Sequence, residues 1–521
     1  QLEREGYVFR TTSDTEVLLH LYAARGVKML NELRGMFAFG LWDESERRML
    51  LARDPYGIKP LYYASEGGTL RFASQVRALL AGRGVSRTPD PAGQVGFYLW
   101  GSVPEPFTSY EAIKSLPAGN YAWCTTRGVS EPVAYWSVAR VWADACQAST
   151  VQGNGIQERV SEALRDSVAH HMVADVPVSA FLSGGVDSGA LVALMTEQGV
   201  RGTHAITLAF DEFSGRMDDE VPLATALARN YDVVHHVRRV SRSEFTQDLP
   251  SIFAAMDQPT IDGVNTWFVS KAASEFGLKV AISGLGGDEL FAGYSTFRDV
   301  PRFLRAARWA APVPLFGKLA RRLSSRVFRN FPSVHPKLSG LFEYGGSFTG
   351  AYLLKRGLFM PWELPELLPE DRVREGLARL CESARLQGLL SPEPESSLAK
   401  VAALEAGQYM RNQLLRDTDW ASMSHSLEVR VPLVDPVLLA QLAPMISHMQ
   451  WPDGKTWLAK SPRRELPPLH WQREKTGFST PLEEWLANVA ELDTYRRVPL
   501  LARDGCQWAR RYAYVVHGRF E

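Results

Sequence analysis

The sequence predicts two domains of different class, a β-rich α+β domain followed by an α/β domain with a parallel sheet and a helical extension. Three observations predict this. Short apolar runs cut by turn residues fill the chain from Tyr7 to about Trp136, similar runs alternate with helix-length amphipathic stretches after residue 155, and helical patterns dominate beyond Tyr294. A length of 521 residues also exceeds what one hydrophobic core usually serves.

In the first domain, Met36 to Trp42, Met49 to Ala52, Leu61 to Ala64, Leu70 to Ala73 and Tyr121 to Cys124 read as strands. They are punctuated by Asp54-Pro55, Gly67-Gly68 and Pro117-Ala118-Gly119, with one helix expected from about Glu16 to Ala24. Residues 140–155 turn small and polar and read as a linker. After it, Ile156, Val160, Leu164, Val168 and Met172 recur every fourth residue, the pattern of a helix with one buried face. Strands are expected at Val176 to Leu182, His204 to Phe210, Val233 to Val237 and Lys279 to Ser283. Helices are expected between them, at Asp187 to Gln198, Asp218 to Asn230 and Asn265 to Phe276. That alternation implies βαβ units and a parallel sheet. Leu398 to Leu415 reads as a helix of the extension.

Composition excludes several classes. The 58 basic and 58 acidic residues cancel, so no global field draws the chain to nucleic acid or to an anionic membrane. A basic run from Arg302 to Arg329 with interspersed aromatics reads as a solvated helical face or a subunit contact, and a homodimer is the assembly that would use such a contact. Cys124, Cys146, Cys381 and Cys506 are far apart with no C-x-x-C pair, against a zinc site or a disulfide scaffold and in favour of a reducing cytoplasm. No stretch reaches the roughly 18 apolar residues of a membrane helix. His170-His171 and His235-His236 point different ways along a helix or strand and complete no metal site.

Ligands of an open parallel sheet sit beyond the carboxyl ends of its strands. Two such ends are glycine-rich: Leu182-Ser183-Gly184-Gly185-Val186-Asp187-Ser188 and Ser283-Gly284-Leu285-Gly286-Gly287-Asp288-Glu289. Paired glycines let backbone N–H groups close around a phosphate at a helix N-terminus. Asp187 and Asp288 give the two carboxylates that, with phosphate oxygens, suit Mg²⁺. The first loop lacks the lysine of a Walker A loop, which points away from γ-phosphoryl transfer. Either loop alone could be an ordinary capped turn; both at successive strand ends point to a nucleotide site.

At these residues the chain resembles the asparagine synthetase family. Ser183 to Ser188 is similar to its pyrophosphate loop and Ser283 to Tyr294 to its second signature. Leu414-Leu-Arg-Asp-Thr-Asp419, Met423-Ser-His-Ser-Leu-Glu-Val-Arg-Val-Pro432 and Arg473-Glu-Lys-Thr-Gly-Phe478 resemble later blocks of the synthetase domain. In the first domain Phe9-Arg-Thr-Thr-Ser-Asp-Thr-Glu-Val17, Arg34-Gly-Met-Phe-Ala-Phe39 and Leu51-Ala-Arg-Asp-Pro-Tyr-Gly-Ile-Lys-Pro-Leu-Tyr-Tyr63 resemble the glutaminase domain.

The resemblance implies an N-terminally incomplete, N-terminal-nucleophile type β-sandwich glutaminase domain over 1–139. An adenine nucleotide α-hydrolase-like synthetase domain over 156–521 follows the 140–155 linker. It further implies ATP and Mg²⁺ as cofactors, and a carboxylate, aspartate first, activated as an acyl-adenylate with release of pyrophosphate and then amidated by ammonia from glutamine. Ser183, Gly184, Gly185, Asp187 and Ser188 are assigned to pyrophosphate and metal, Asp288 to metal, Leu182, Leu208, Ser283 and Gly284 to adenosine, and Lys475 to charge on the phosphates. Asp14 corresponds to the residue receiving the glutamine α-amino group.

The family's nucleophilic cysteine and three early blocks would precede residue 1, so glutamine hydrolysis is not expected of the sequence as it stands. A fragment of a longer protein is the expected reason, an ammonia-dependent natural form the alternative. Cys124, in an apolar strand, reads as inert.

Leu285 departs from the family, which commonly has an acidic residue there. Either another carboxylate, Glu289 or Glu428, replaces it, or the acceptor is not aspartate; a tolerated substitution in an ordinary asparagine synthetase is the competing reading. Glu428 and Arg430 could instead be an internal ion pair. Alternatives in other classes are a macrolactam- or β-lactam-type synthetase, a tRNA-modifying or nucleotide-amidating synthetase, and a catalytically silent scaffold.

Overall fold

The fold comes from a computed structural model, which describes residues 2–147, 155–199, 202–216, 218–308, 314–328, 336–446, 454–472, 480–486, 489–503 and 505–520. Strands β1 (Ala38–Asp43), β2 (Arg48–Arg53), β6 (Asn120–Thr125) and β7 (Gly128–Val129) form one antiparallel sheet in that order, with β8 (Val133–Ala134) also on β6. A second antiparallel sheet runs β4 (Thr69–Ala73), β3 (Tyr62–Glu66), β5 (Ile113–Ser115). The period of two in β2 decides the layering. Leu50 packs with Leu21, Met29 and Leu30 under the helix Asp14–Arg25 and the turn after it, whereas Leu51 faces Leu61, Tyr63 and Leu116 between the sheets. Tyr62, Ala64 and Ile113 meet the short helix Val76–Ala81 on the far side. The result is a sandwich of two sheets with a helical layer on each outer face.

The second half carries a parallel sheet in the order β11 (Val234–Val240), β10 (His204–Phe210), β9 (Val178–Phe181), β12 (Val280–Ile282), β13 (Glu428–Arg430). The predicted crossovers appear as the helices Val186–Thr196, Val221–Asn230 and Val264–Glu275, with Arg242–Ala255 added. After β9 the chain moves one way to β10, while β12 lies on β9's other side. The carboxyl ends of β9 and β12 are therefore neighbours where strand order reverses, the usual place for a ligand in such a sheet.

The helical expectation beyond Tyr294 is met, and Leu398 to Leu415 continues as one helical run from Ser397 to Met423 that widens to i→i+5 geometry over Glu405–Leu415. The stretch read as a linker over 140–155 differs in part. Its first residues extend a helix, Val138–Gln147, because Val138, Trp142 and Ala145 share a buried face; residues 148–154 lie outside the described set. Helix Pro91–Trp100 escaped the pattern reading since all ten of its residues are buried, leaving no polar face to reveal a period. It shares one continuous core with the parallel-sheet half. Among the described residues, no helix is long and apolar enough to cross a membrane.

Candidate active site

The first loop leads from β9 into the helix Val186–Thr196, capped by Gly185, so the positive end of the helix dipole faces the loop. Its serines brace it. Ser183 N donates to Ser188 Oγ at 3.0 Å, the two hydroxyls lie 2.9 Å apart, and Gly185 N donates to Ser183 Oγ at 3.1 Å. Two of the loop's N–H groups are thus held by its own hydroxyls.

The second loop sits against the first with no space to spare. A Cβ on Gly284 would lie 3.0 Å from the Cβ of Asp187, and one on Gly287 would lie 2.5 Å from Asp187 Oδ1. A Cβ on Gly293 would lie 2.0 Å from Asp288 Oδ1. Gly286 has φ +90° and its absent side chain would strike Val434, so only glycine serves there. The glycines of this segment act by letting two carboxylates approach one point.

That point is occupied by an ammonium group. Lys455, on the helix Gly454–Ala459, bonds both Asp187 Oδ1 and Asp288 Oδ1, the second at 2.8 Å. Burial disfavours its charge, but Asp187 and then Asp288 outweigh that and raise its pKa. The three side chains are only 15–23% exposed, so their Coulomb interactions are weakly screened. Buried His470 adds a contact from the C-terminal part, its Nδ1 3.4 Å from Gly184 O.

Residues 159–503 match the asparagine synthase family, and residues 1–136 match the glutamine amidotransferase domain. A Mycobacterium bovis relative named for asparagine synthetase (glutamine-hydrolyzing) is 33% identical over 93% of this chain and 72% of its own length. Asparagine synthetase (glutamine-hydrolyzing) 1 of Bacillus subtilis is 30% identical over 94% and 74%. The chain belongs to the asparagine synthase family. The amidase chry2 of Gibberella zeae is also similar, 30% identical over 56% of this chain and 45% of that protein.

Within this asparagine synthase family chain, Asp187, Asp288, Ser183, Gly184, Gly185, Ser188, Ser283 and Gly284 lie on the paired loops. Leu182, the residue just after β9, and Leu208, within β10, are buried, 2% and 3% exposed, so an adenosine could meet them only through their backbone or after the core shifts. Lys475 lies outside the described residues. Asp14 is exposed at the start of the first helix, where Ser13 caps Thr15 N and Glu16 accepts from Arg10 N and Thr11 N.

Leu285 is partly buried against the main core. Neither candidate replacement stands as a ready base. Glu289 is pushed up to about 8 by burial, then by Asp288 and Glu405, and accepts from the Tyr294 hydroxyl at 3.1 Å. Glu428 begins β13, at the amino end of the sheet away from the loops, where it pairs with Arg430 at 2.7 Å. Arg430 also donates to His171 O and Val173 O, so the pair is structural. Arg53 and Asp54 of the first half are likewise internal: Arg53 donates to Glu105 at 2.5 Å, and Asp54 accepts from Ile58 N and Lys59 N at 2.9 Å. Cys124 is buried, and its thiol is pushed up to about 11.

Lys455 is the candidate site residue that sequence reasoning missed. It lies 268 residues from Asp187 and in none of the blocks carrying the resemblance. Arg34 lies in the block Arg34 to Phe39, whose pattern gives it no role of its own. Its guanidinium bonds Asp435 at 2.5 and 3.0 Å and Asp166 at 2.8 Å, joining the sandwich to the parallel-sheet half.

Proposed function

We propose that the chain activates a carboxylate with ATP and converts it to an amide. The carboxylate oxygen attacks the α-phosphorus, forming an acyl-adenylate as the bond to pyrophosphate breaks. Ammonia then attacks the acyl carbon, loses a proton and releases AMP. The observation that carries this reading is the convergence of Asp187, Asp288 and Lys455 beside a helix N-terminus, at the reversal point of a parallel sheet.

Each group has a task. The first loop and its helix end would receive the β- and γ-phosphates. Lys455 would meet charge gathering on the leaving pyrophosphate. The two carboxylates would hold Mg²⁺ together with phosphate oxygens; their glycine-walled approach to one cation fits that role. When bound, the ion supplies charge neutralisation to the leaving group. Lys475 would add a further cation, and Leu182, Leu208, Ser283 and Gly284 would border the adenosine. Asp14 would hold the α-amino group of glutamine where glutamine is the ammonia source.

Aspartate, giving asparagine, is the acceptor that the named relatives supply. Leu285 favours a second reading, another carboxylate, because a leucine can neither take a proton nor steer an ammonium by charge. Incubation with ATP, Mg²⁺, ammonium and aspartate, following asparagine, AMP and pyrophosphate, tests the first. Pyrophosphate and AMP appearing only with a different acid would leave the reaction and remove aspartate from it. Phosphate and ADP as products would overturn the reaction itself.

A further inference from the structure

Where the chain continues from the second loop, at Tyr294 to Thr296, it borders a cavity of about 730 Å³. Tyr294, Thr296, Lys337, Lys355, Arg356 and Tyr409 contribute to its wall. It begins close to the paired carboxylates. Tyr294 follows Gly293, whose Cα packs beside Asp288 and Lys455, and the Tyr294 hydroxyl donates to Glu289.

The wall is cationic. Lys337, Lys355 and Arg356 face a single lining carboxylate, Asp299, which takes Lys355 and Arg298 at 2.7 Å each. Arg356 lies between two rings, 4.4 Å from Tyr294 and 4.0 Å from Tyr409, and is fixed from behind by Glu405 at 3.0 Å. Glu405, outside the wall, is fully buried and also accepts from Tyr352. A guanidinium clamped in this way is preorganised for an anion. Thr296 is a second, independent sign. It is 2% exposed, and its hydroxyl has no hydrogen-bond partner among the described residues. A buried hydroxyl left so is costly unless a ligand or water meets it.

Size then decides between acids. A pocket of this volume suits a ligand of tens of atoms, and a molecule as small as aspartate leaves most of it empty. We propose that this cavity holds the body of the carboxylate substrate, and that the substrate is an elongated acid with a second anionic group received by Lys337 and Arg356. The proposal rests on the carboxylate-activating reading above. Apolar wall from Leu354, Leu358 and Trp100 suits the methylene body between two anionic ends. Burial, then Arg510, with Glu363 opposing and Lys355 adding, pushes the Lys337 ammonium down to about 8. An arriving anion would reverse that.

Dicarboxylic acids of increasing length serve as rulers: succinate, adipate, suberate and sebacate, with aspartate and octanoate alongside. The full chain is assayed with Mg-ATP for acid-dependent exchange of labelled pyrophosphate into ATP, and by calorimetry for binding. We expect kcat/KM for suberate at least tenfold above that for succinate or aspartate. Lys337→Gln should raise the ratio of the suberate KM to the octanoate KM at least tenfold, and Lys337→Arg should restore it. If Lys337→Gln does not fold, Thr296→Val replaces it, with a smaller rise of about threefold. Exchange driven best by aspartate, with that ratio unmoved, overturns the cavity assignment while leaving activation by ATP intact. Suberate heat that depends on Lys337 without any exchange supports the cavity and overturns activation. The absence of both heat and exchange with every dicarboxylic acid overturns the cavity assignment.

Discussion

Replacing Lys455 with methionine tests the shared ammonium directly, because it keeps an unbranched apolar stem and removes only the charge. At 2.8 Å from Asp288, and with an effective dielectric of about 20, the Coulomb attraction is about 6 kcal/mol. Desolvation of the ions cancels much of this, and breaking such a buried pair from one side leaves a net loss of about 3–5 kcal/mol. Because the three side chains retain 15–23% exposure, the low end, about 3 kcal/mol, is the expected cost. For a domain of this kind that corresponds to a fall in melting temperature of roughly 6–12 °C. Lys455→Met should therefore melt that much earlier than the native chain in the absence of nucleotide. Millimolar Mg²⁺ alone should recover part of the loss in the variant and do little for the native chain, since without nucleotide the ammonium already neutralises both carboxylates there and the phosphate oxygens that would complete the metal's ligands are missing. Differential scanning fluorimetry with and without Mg²⁺ reads both effects. Pyrophosphate exchange should fall by about 10²–10³-fold, the usual loss of one transition-state charge partner. A variant melting within 2 °C of the native chain, with the same response to Mg²⁺, would refute the shared seat.

Gly287→Ala puts a methyl 2.5 Å from Asp187 Oδ1 and 3.0 Å from Leu433. Exchange should drop at least a hundredfold, while Gly388→Ala, with nothing within 4 Å, should leave it unchanged. Glu289 carries a folded-state pKa of about 8 against an ordinary 4.5, so the folded chain holds an extra proton between those values and loses stability as pH rises through that window. Relative to Glu289→Gln, the native chain should lose about 1.4 kcal/mol per pH unit from about 5 to 8. Urea denaturation at three pH values measures the slope difference, and parallel curves would deny the buried proton. Arg34→Ala strands Asp435, whose side chain is 1% exposed, and should cost about 2–3 kcal/mol, read as a lower denaturant midpoint.

Strands β1, β2, β3, β4 and β6 of the first half were legible because each is a short apolar run bounded by turn residues. β2 shows why: Leu50 and Leu51 point into different clusters, yet the run Met49 to Ala52 is unmistakable as a strand. The parallel sheet was legible through alternation with helices. What could not be read had lost its contrast. Helix Pro91–Trp100 is buried on all sides, and β13 is three residues long, paired to a strand nearly 150 residues earlier. The polar tone of 140–147 outweighed Trp142, although that one side chain is enough to dock a helix.

The candidate site divides along the same line. Asp187 and Asp288 were visible since each sits beside its own glycines, and the reason for those glycines became clear only with both loops in place. In the second loop most of them make room for carboxylates rather than enclosing a phosphate, as Gly287 against Asp187 and Gly293 against Asp288 show. Lys455 and Arg34 had no local signature, because their partners are 268 and 401 residues away. Arg34 nevertheless bears on the same loop. Its partner Asp435 directly follows Leu433 and Val434, the residues that wall in Gly286 and Gly287. The sandwich therefore holds the segment that presses the second loop onto Asp187. Loss of the Arg34 contact should loosen the carboxylate pair as well as the domain junction, so Arg34→Ala should weaken the response to Mg-ATP beyond what its lower stability alone explains.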